Sequence, residues 1–356
     1  MVDLNNDNNS NNDQKAPKLW GWTTYASIAI AIIILVFAAT FVDLKEIWRQ
    51  ITACDKRFVL LGALAHYATY LVRGMRWRRC LIHLPVKAGS TKFGLLVFFY
   101  NFVDNLVPAK LGDVYAAHLA RINFNIRRSA AMGSIVFLRM VDAWIVLLLA
   151  ALASWTLFAD KLPGAVFWSL IGGCIIAVGA TSIMLVFFLF KKKLPGWIPQ
   201  KIQQMIQAFQ TGMWPRAKEL FPIAILTVTI WSLEIVWIFC LTLAFDLNVG
   251  AAETIFLTMI PLLASAFPFT PSGAGVVEIT LFSCLRVVGV TSPIAASLTV
   301  VNRFIDYALH IALGVLTWAI RRVIGLRTWR DVPLKDLREN DPAEIPVGQS
   351  RLNIDY

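Results

Sequence analysis

The chain has 356 residues, of which 58% are hydrophobic and only 15% are charged. A soluble protein keeps about a quarter of its residues charged, so this composition excludes a soluble fold and indicates an integral membrane protein. The net charge of +11 would suggest nucleic acid in a soluble protein, but in a membrane protein it belongs to cytoplasmic loops or to a site for anionic lipid.

The predicted elements begin with an Asn- and Asp-rich tail at residues 1–22, which has almost nothing to bury and is expected to be disordered. Residues 23–42 are uncharged and long enough to cross a bilayer, and a cleavable signal peptide is the alternative interpretation. Five further runs are apolar enough to span the membrane, namely residues 58–72, 130–157, 164–190, 220–245 and 298–320.

Two other apolar stretches, residues 94–120 and 254–288, are interrupted by Pro and Gly. Residues 201–218 have apolar side chains on one helical face and are expected to lie at the membrane interface, and residues 324–356 form a polar cytoplasmic tail. We therefore predict an all-α polytopic membrane protein with one integral domain at residues 23–323. It contains eight or more hydrophobic segments, of which about six are full transmembrane helices and two are broken hairpins.

Loop charges predict the orientation. Four segments hold most of the basic residues and are therefore cytoplasmic by the positive-inside rule: 73–92, 121–129, 191–219 and 321–330. The weakly charged loops, 159–163, 246–253 and 289–297, are then external, both termini are cytoplasmic, and residues 43–57 are ambiguous. Each broken stretch consequently begins and ends on the same side of the membrane. Re-entrant hairpins are the simplest solution, and two full crossings of each stretch are the alternative.

The two broken stretches share a pattern of Pro-x3-Gly followed by Arg-x2-Asp, with 31 and 32 residues from Pro to Arg. The residues are Pro108, Gly112, Arg139 and Asp142 in the first copy, and Pro271, Gly275, Arg303 and Asp306 in the second. Three predicted crossings separate the copies, so the second copy is inverted, with repeat units at about 58–158 and 220–323. Inverted repeats with broken helices are typical of secondary transporters.

Each Arg-x2-Asp motif lies at membrane depth, where charge is costly. The i to i+3 spacing lets Arg and Asp pair on one helix face. They form either a self-neutralising pair or a guanidinium that is held ready for a phosphate. Helix N-termini beginning near the two prolines, together with Lys110, would add positive potential.

Other ionisable residues extend these candidates. Asp113 and Glu278 are expected to cap helices or to bind a cation or proton, and His310 is a candidate proton relay. Arg73 and Arg76 lie nearest the hydrocarbon in the first basic segment and could gather an anionic headgroup. The five cysteines and four histidines show no metal-binding spacing, and no phosphate-binding loop motif occurs. We therefore predict no metal, no cofactor, no catalytic residue and no nucleic-acid partner.

Five motifs occur in order along the chain: Arg73-Gly-Met-Arg76-Trp77, Asn105-Leu-Val-Pro108-Ala-Lys110-Leu-Gly112-Asp113, Arg139-Met-Val-Asp142, Pro271-Ser-Gly273-Ala-Gly275-Val-Val-Glu278 and Asn302-Arg303-Phe-Ile-Asp306. Together they resemble the lysylphosphatidylglycerol synthase transmembrane region family, also called flippase-like domain proteins, over residues 73–322. With the charge pattern, the resemblance implies substrate-binding residues at Arg73, Arg76, Asn105, Pro108, Lys110, Gly112, Asp113, Arg139, Asp142, Pro271, Gly273, Gly275, Glu278, Arg303 and Asp306.

Two departures from the family pattern limit this transfer. Only residues 331–356 follow the last predicted span, so we expect a stand-alone member without the aminoacyl-transfer domain, which excludes lysyl transfer. Family members often have an Arg shortly after the first Gly-acidic pair, where this chain has Ala116 and Ala117. That difference leaves the headgroup unassigned.

The resemblance implies a multi-pass protein of the prokaryotic inner membrane. Its expected function is that of a flippase for an anionic, phosphate-bearing lipid or a polyprenyl-phosphate-linked intermediate, and it is not expected to be an enzyme. The alternatives are a membrane transferase acting on polyprenyl phosphate and a non-transporting scaffold for envelope-biosynthesis enzymes.

Overall fold

The computed structural model describes residues 44–86, 88–106, 112–159, 162–189, 199–265, 273 and 275–328. Within these ranges the chain is helical and contains no β-strand, which confirms the predicted all-α class. The helices are α1 Leu44–Ala53, α2 Lys56–Cys80, α3 Ser90–Leu106, α4 Gly112–Phe124, α5 Arg128–Leu157, α6 Gly164–Leu189, α7 Gln200–Met213, α8 Ala217–Ala244, α9 Ala251–Ser265, α10 Val276–Val287, α11 Ser292–Arg303, a π-helix Phe304–Leu309 and α12 His310–Ile320.

Five of the described helical runs are long and apolar enough to cross a membrane: α2, α5, α6, α8 and the continuous run Ser292–Ile320, which contains α11, the π-helix and α12. They coincide with the five predicted spans. The first of them is longer than expected, with 25 residues, because hydropathy falls at the arginines of α2 while the helical backbone continues. The sixth predicted span, residues 23–42, and both predicted tails up to residue 22 and beyond residue 328 lie outside the described residues.

The two broken stretches form pairs of short helices. α3 packs against α4, and α9 packs against α10; we call these pairs the first and second hairpin. Their helices have 17, 13, 15 and 12 residues, whereas a perpendicular crossing needs about 20. Most of the residues that join the helices of each hairpin lie outside the described ranges, namely 107–111 in the first and 266–272 and 274 in the second.

The predicted basic segments come together at one end of the helices. Arg79, near the end of α2, forms an ion pair with Glu219 at the start of α8, with 3.2 Å between Nη1 and Oε2. The backbone N–H of Arg327, after α12, donates to the side-chain oxygen of Asn123 at the end of α4, at 2.8 Å. We call this end of the molecule the basic side, and the first hairpin begins and ends there.

The ambiguous segment 43–57 lies at the opposite end, as far as it is described. The backbone N–H of Asp55 donates to the carbonyl of Ala244 at the end of α8, at 2.9 Å. The hydroxyl of Ser297 in α11 contacts the carbonyl of Ile47 in α1, at 3.3 Å. The second hairpin begins and ends on this side.

The predicted interfacial segment is observed as α7, which packs on the first turns of α5. Two glycines permit the close contact, since Gly212 lies against the backbone of Ala130, and Gly133 lies against the backbone of Phe209. Close helix approach through small residues is common in membrane proteins. α7 therefore lies on the basic side, with Ile202 on its exposed face.

The buried apolar residues form two clusters, one at each end of the molecule. One contains the second hairpin with the adjoining ends of α2, α5 and α8, and the other contains the first hairpin with the basic-side ends of α2 and α5. Polar residues of α2, α5 and α8 occupy the zone where these clusters meet. That zone contains the candidate site.

Candidate functional site

A small cavity of about 30 Å³ lies among α2, α3 and α5. Three guanidinium groups line it, those of Arg73, Arg76 and Arg139, together with the Tyr100 ring and the carboxylate of Asp142. Its remaining walls are apolar side chains. Arginines facing one cavity inside an apolar bundle place several guanidinium donors in a low-dielectric setting, where electrostatic interactions are strong.

The deepest of these arginines is held by a carboxylate on another helix. Arg76 is 3% exposed, and its Nη1 and Nη2 donate to the two oxygens of Asp142 at 2.6 and 2.8 Å. Nη1 also contacts the hydroxyl of Thr227, and the indole N–H of Trp231 donates to Asp142. The Nε of Arg76 is buried and makes no hydrogen bond with the described residues.

The predicted pairing of Arg139 with Asp142 is wrong. Asp142 is occupied by Arg76, and Arg139 instead donates from Nη2 and Nε to the carboxylate of Asp113 in the first hairpin, at 2.9 and 3.3 Å. Sequence spacing could not show this, because the partner comes from a neighbouring helix that approaches α5. The Arg139 side chain is 47% exposed, so it is the accessible arginine of the cavity.

The second copy of the sequence motif contains an equivalent ion pair. Arg303 Nε lies 2.7 Å from Glu278 Oε1 in the second hairpin, whereas its predicted partner Asp306 is 3.5 Å away. Glu278 also accepts the backbone N–H of Gly275 at 2.7 Å, as its predicted capping role requires. In each half, an arginine on a long helical run therefore binds an acid at the start of the second helix of a hairpin.

Arg139 and Arg303 also occupy matching depths. Each lies eleven residues after the start of its helix, Arg128 for α5 and Ser292 for α11. At 1.5 Å per residue this is about 16 Å along the axis, roughly half of a 30 Å hydrocarbon core. The two helices start from opposite ends of the molecule, so the two arginines lie at equivalent depths measured from opposite ends.

A polar chain connects the cavity to the second repeat. Arg73 Nη2 donates to Glu234 Oε1 at 3.0 Å, and the other oxygen of Glu234 lies 3.1 Å from Nδ1 of His66. The Nε2 of His66 lies 3.5 Å from Asp306 Oδ1, and Asp306 contacts Arg303. Charged groups of α2, α8 and the π-helix are thus contiguous.

The remaining predicted residues either lie around this polar chain of side chains or fall outside the described ranges. The carbonyl of Asn105, near the tip of the first hairpin, accepts from the Tyr307 hydroxyl at 3.2 Å, and the Tyr307 ring lies under Arg303. The backbone N–H of Gly112 donates to Asp104 at 3.1 Å. Gly273 has φ +67° and Gly275 has φ +87°, in the left-handed region that favours glycine. Pro108, Lys110 and Pro271 lie outside the described residues.

The proposed relay residue His310 has both ring nitrogens engaged. Its Nδ1 lies 2.9 Å from the Tyr70 hydroxyl, and its Nε2 lies 3.2 Å from the carbonyl of Phe98. Since the carbonyl can only accept, Nε2 donates to it, and Nδ1 shares the second hydrogen bond with the Tyr70 hydroxyl, which can donate or accept. Both ring nitrogens of His310 are therefore hydrogen-bonded within the protein.

Sequence reasoning missed Glu234, Tyr100 and the role of His66. Glu234 had a clear signal, because it is the only charged residue in the span 220–245, and such a residue marks a functional site by default. Tyr100 and His66 carry no comparable signal. Only helix packing brings them to the arginines.

Comparisons with known proteins identify the same family as the motifs. The family model described as Lysylphosphatidylglycerol synthase TM region matches residues 25–314. A UPF0104 membrane protein of Methanocaldococcus jannaschii is 26% identical over 220 residues, covering 62% of this chain and 94% of the relative. A second UPF0104 membrane protein of that organism is 20% identical over 318 residues, covering 82% of this chain and 93% of the relative.

A further relative has a name that describes an activity. The glycosyltransferase AglD of Haloferax volcanii is 21% identical over 340 residues, covering 82% of this chain but only 53% of AglD. The similarity therefore concerns about half of that protein.

Proposed function

Because this membrane protein belongs to the lysylphosphatidylglycerol synthase TM region family, we propose that it moves an anionic, phosphate-bearing lipid across the prokaryotic inner membrane. The substrate is a phospholipid or a polyprenyl-phosphate-linked intermediate. Its headgroup occupies the arginine-lined cavity while its apolar tails remain in the surrounding lipid. No covalent step is required.

The cavity itself is the observation that carries this proposal. Arg73, Arg76 and Arg139 line the cavity, and each is paired with one acid, so a phosphate would bind by competing for guanidinium donors that are already in place. Guanidinium groups suit phosphate because their planar donors match its oxygens. The cavity also adjoins the exposed side chain of Arg139, which gives a headgroup a first contact.

The proposed topology has about six full crossings and two re-entrant hairpins, arranged as an inverted repeat of residues 58–158 and 220–323 within a domain at 23–323. The short hairpin helices and the matching pairs Arg139–Asp113 and Arg303–Glu278 support it. In such transporters one half rocks against the other around a central site. Each ion pair would then hold one hairpin closed towards its own side of the membrane.

The basic side is proposed to face the cytoplasm, which places both terminal tails there. This orientation lets the concentrated Lys and Arg residues attract the anionic lipids of the inner leaflet. Enzymes of envelope biosynthesis that make or use the substrate are the proposed protein partners.

Replacing Arg139 tests the transport proposal directly. We expect Arg139→Ala to slow translocation of a fluorescent phosphatidylglycerol at least about tenfold, since the headgroup loses its accessible guanidinium in a low-dielectric site. Translocation is measured in proteoliposomes by chemical quenching of the probe in the outer leaflet. Arg139→Lys retains the charge but not the planar donors, so its rate should be intermediate.

The matched control is Arg49→Ala, which also removes one positive charge. Arg49 is 72% exposed and pairs with Glu46 on α1, away from the cavity. Its transport rate should equal that of the unchanged protein. Equal rates for the Arg139 variants and the control, with all proteins folded by gel filtration, would exclude the cavity as the headgroup site.

A membrane transferase acting on polyprenyl phosphate is the second candidate function, and the name of the AglD relative favours it. The same cavity would then hold the phosphate of an acceptor. Incubating the purified protein with a polyprenyl phosphate and nucleotide sugars separates the two functions. A glycosylated product would establish the transferase, whereas transport without product supports the flippase.

A further inference from the structure

His66 lies between two carboxylates from two different elements. It is 5% exposed, with Nδ1 3.1 Å from Glu234 Oε2 and Nε2 3.5 Å from Asp306 Oδ1. The titratable and charged groups that face it are Glu234 of α8, Asp306 of the π-helix, His310 of α12, and Tyr67, Tyr70 and Arg73 of α2.

This arrangement can bind one additional proton. A neutral imidazole has one donor and one acceptor nitrogen, and an ionised carboxylate can only accept. With both carboxylates ionised, neutral His66 directs a lone pair towards an oxygen lone pair on one side. In agreement, Nε2 of His66 is buried and makes no hydrogen bond with the described residues. One additional proton, on the ring or on a carboxyl, makes both contacts attractive.

The geometry points to a proton-binding site formed by His66, Glu234 and Asp306, which couples proton uptake to headgroup binding in the arginine-lined cavity. This inference rests on the proposed transport function and adds its energy source. Asp306 is the accessible end of the site, with a side chain that is 36% exposed, compared with 7% for His66 and 14% for Glu234. Protons therefore enter and leave through Asp306.

The position of Asp306 suits a carrier of protons. It lies in the middle of the 29-residue run Ser292–Ile320, about 20 Å from either end at helical rise. It also belongs to the π-helix, and π-helical turns occur frequently at functional sites. A proton on Asp306 is thus close to the midplane, where alternating access exposes a site to each side in turn.

Glu234 links the proton-binding site to the cavity, because one of its carboxylate oxygens contacts His66 and the other accepts a hydrogen bond from Arg73. When the site holds its extra proton, Glu234 is shared between two cations. It then neutralises less of the charge of Arg73, and the cavity becomes more positive. Headgroup binding and proton uptake consequently favour each other, and the linkage is reciprocal.

Proton counting by calorimetry tests the coupling. Dihexanoyl phosphatidylglycerol is titrated into the purified full chain in buffers of different ionisation enthalpy, with dihexanoyl phosphatidylcholine as the uncharged-headgroup comparison. We expect up to one proton taken up per bound anionic headgroup, and affinity about fivefold or more higher at pH 6.0 than at pH 8.0. His66→Gln and Asp306→Asn should bind without proton uptake.

His118→Gln is the matched control, because it replaces a partly buried histidine of α4 whose electrostatic interactions involve neither Glu234 nor Asp306. Its proton count should equal that of the unchanged protein. Binding without proton uptake in the unchanged protein, or uptake that survives both His66→Gln and Asp306→Asn, would overturn the coupling and leave the transport proposal standing. Absence of phosphatidylglycerol binding would overturn the coupling to this headgroup and exclude phosphatidylglycerol as the transported lipid. If His66→Gln does not fold, Asp306→Asn still tests the coupling, because it retains the imidazole of His66.

Discussion

At the scale of single residues, the central question is how a membrane domain holds buried guanidinium groups. Each arginine of the site binds an acid from another helix: Arg76 with Asp142, Arg73 with Glu234, Arg139 with Asp113 and Arg303 with Glu278. Such pairs offset a large desolvation cost only when the geometry is good. The pairs therefore hold the helices in register as well as shaping the cavity.

We predict that Arg76→Ala destabilises the protein by about 3–5 kcal/mol, because it leaves the buried carboxylate of Asp142 without its cation. Thermal unfolding in detergent measures the change. Arg57→Ala on an exposed position of α2 is the control and should stay within about 0.5 kcal/mol. The double replacement Arg76→Met with Asp142→Leu should recover most of the loss. If Arg76→Ala and the control unfold alike, the pair does not stabilise the fold.

At the scale of elements, glycines determine how closely the first hairpin approaches the long helices. A Cβ on Gly74 of α2 would overlap the backbone of Gly94 in α3, and a Cβ on Gly314 of α12 would overlap the ring of Phe102. Van der Waals packing of this kind holds helices together in lipid, where the hydrophobic effect between helices is small. The first hairpin is thus wedged between α2 and α12.

Gly74→Ala should therefore separate α2 from α3 and destabilise the protein by about 1–3 kcal/mol, as other overpacked contacts do. Gly179→Ala in α6 provides the comparison, because no atom lies within 4 Å of the added Cβ; it should be neutral or slightly stabilising, since Ala is the better helix former. Unfolding temperatures of the two variants in one detergent decide the matter. Similar unfolding temperatures would show that the α2–α3 contact accommodates the added methyl group without loss of stability.

At the scale of the whole molecule, the protein has a basic side and an opposite side, each with its own apolar cluster and hairpin. The charged network occupies the zone between the clusters. This arrangement suits two halves that move against each other, because the contacts between them are polar and can be exchanged. The proposed orientation of the two sides rests on loop charge alone.

Cysteine labelling in intact cells tests that orientation. In a background without the five native cysteines, we expect Arg57→Cys, on the side opposite to the basic side, to react with a membrane-impermeant maleimide. Arg216→Cys, in the basic segment before α8, should react only after permeabilisation. Both positions are exposed, so reactivity depends on the side. The reverse pattern would contradict the proposed cytoplasmic basic side.

The sequence by itself determined the class of protein, the five described spans and the positions of the two hairpins. These properties depend on local hydropathy, on chain-breaking Pro and Gly, and on loop charge. All three can be identified from the sequence without knowledge of the contacts between helices. The motif arginines and acids were also identifiable, since charge inside an apolar run is unusual. Glu234 likewise is a charged residue inside an apolar run.

Only the tertiary structure decided which charges meet. Arg139 binds Asp113 rather than Asp142, because α4 lies beside α5 at that depth while α2 brings Arg76 to the other face. The position of His66 between Glu234 and Asp306 likewise requires α2, α8 and the π-helix to converge. Ion pairing in a membrane depends on distances of a few ångströms between separate helices, and local sequence does not encode those distances.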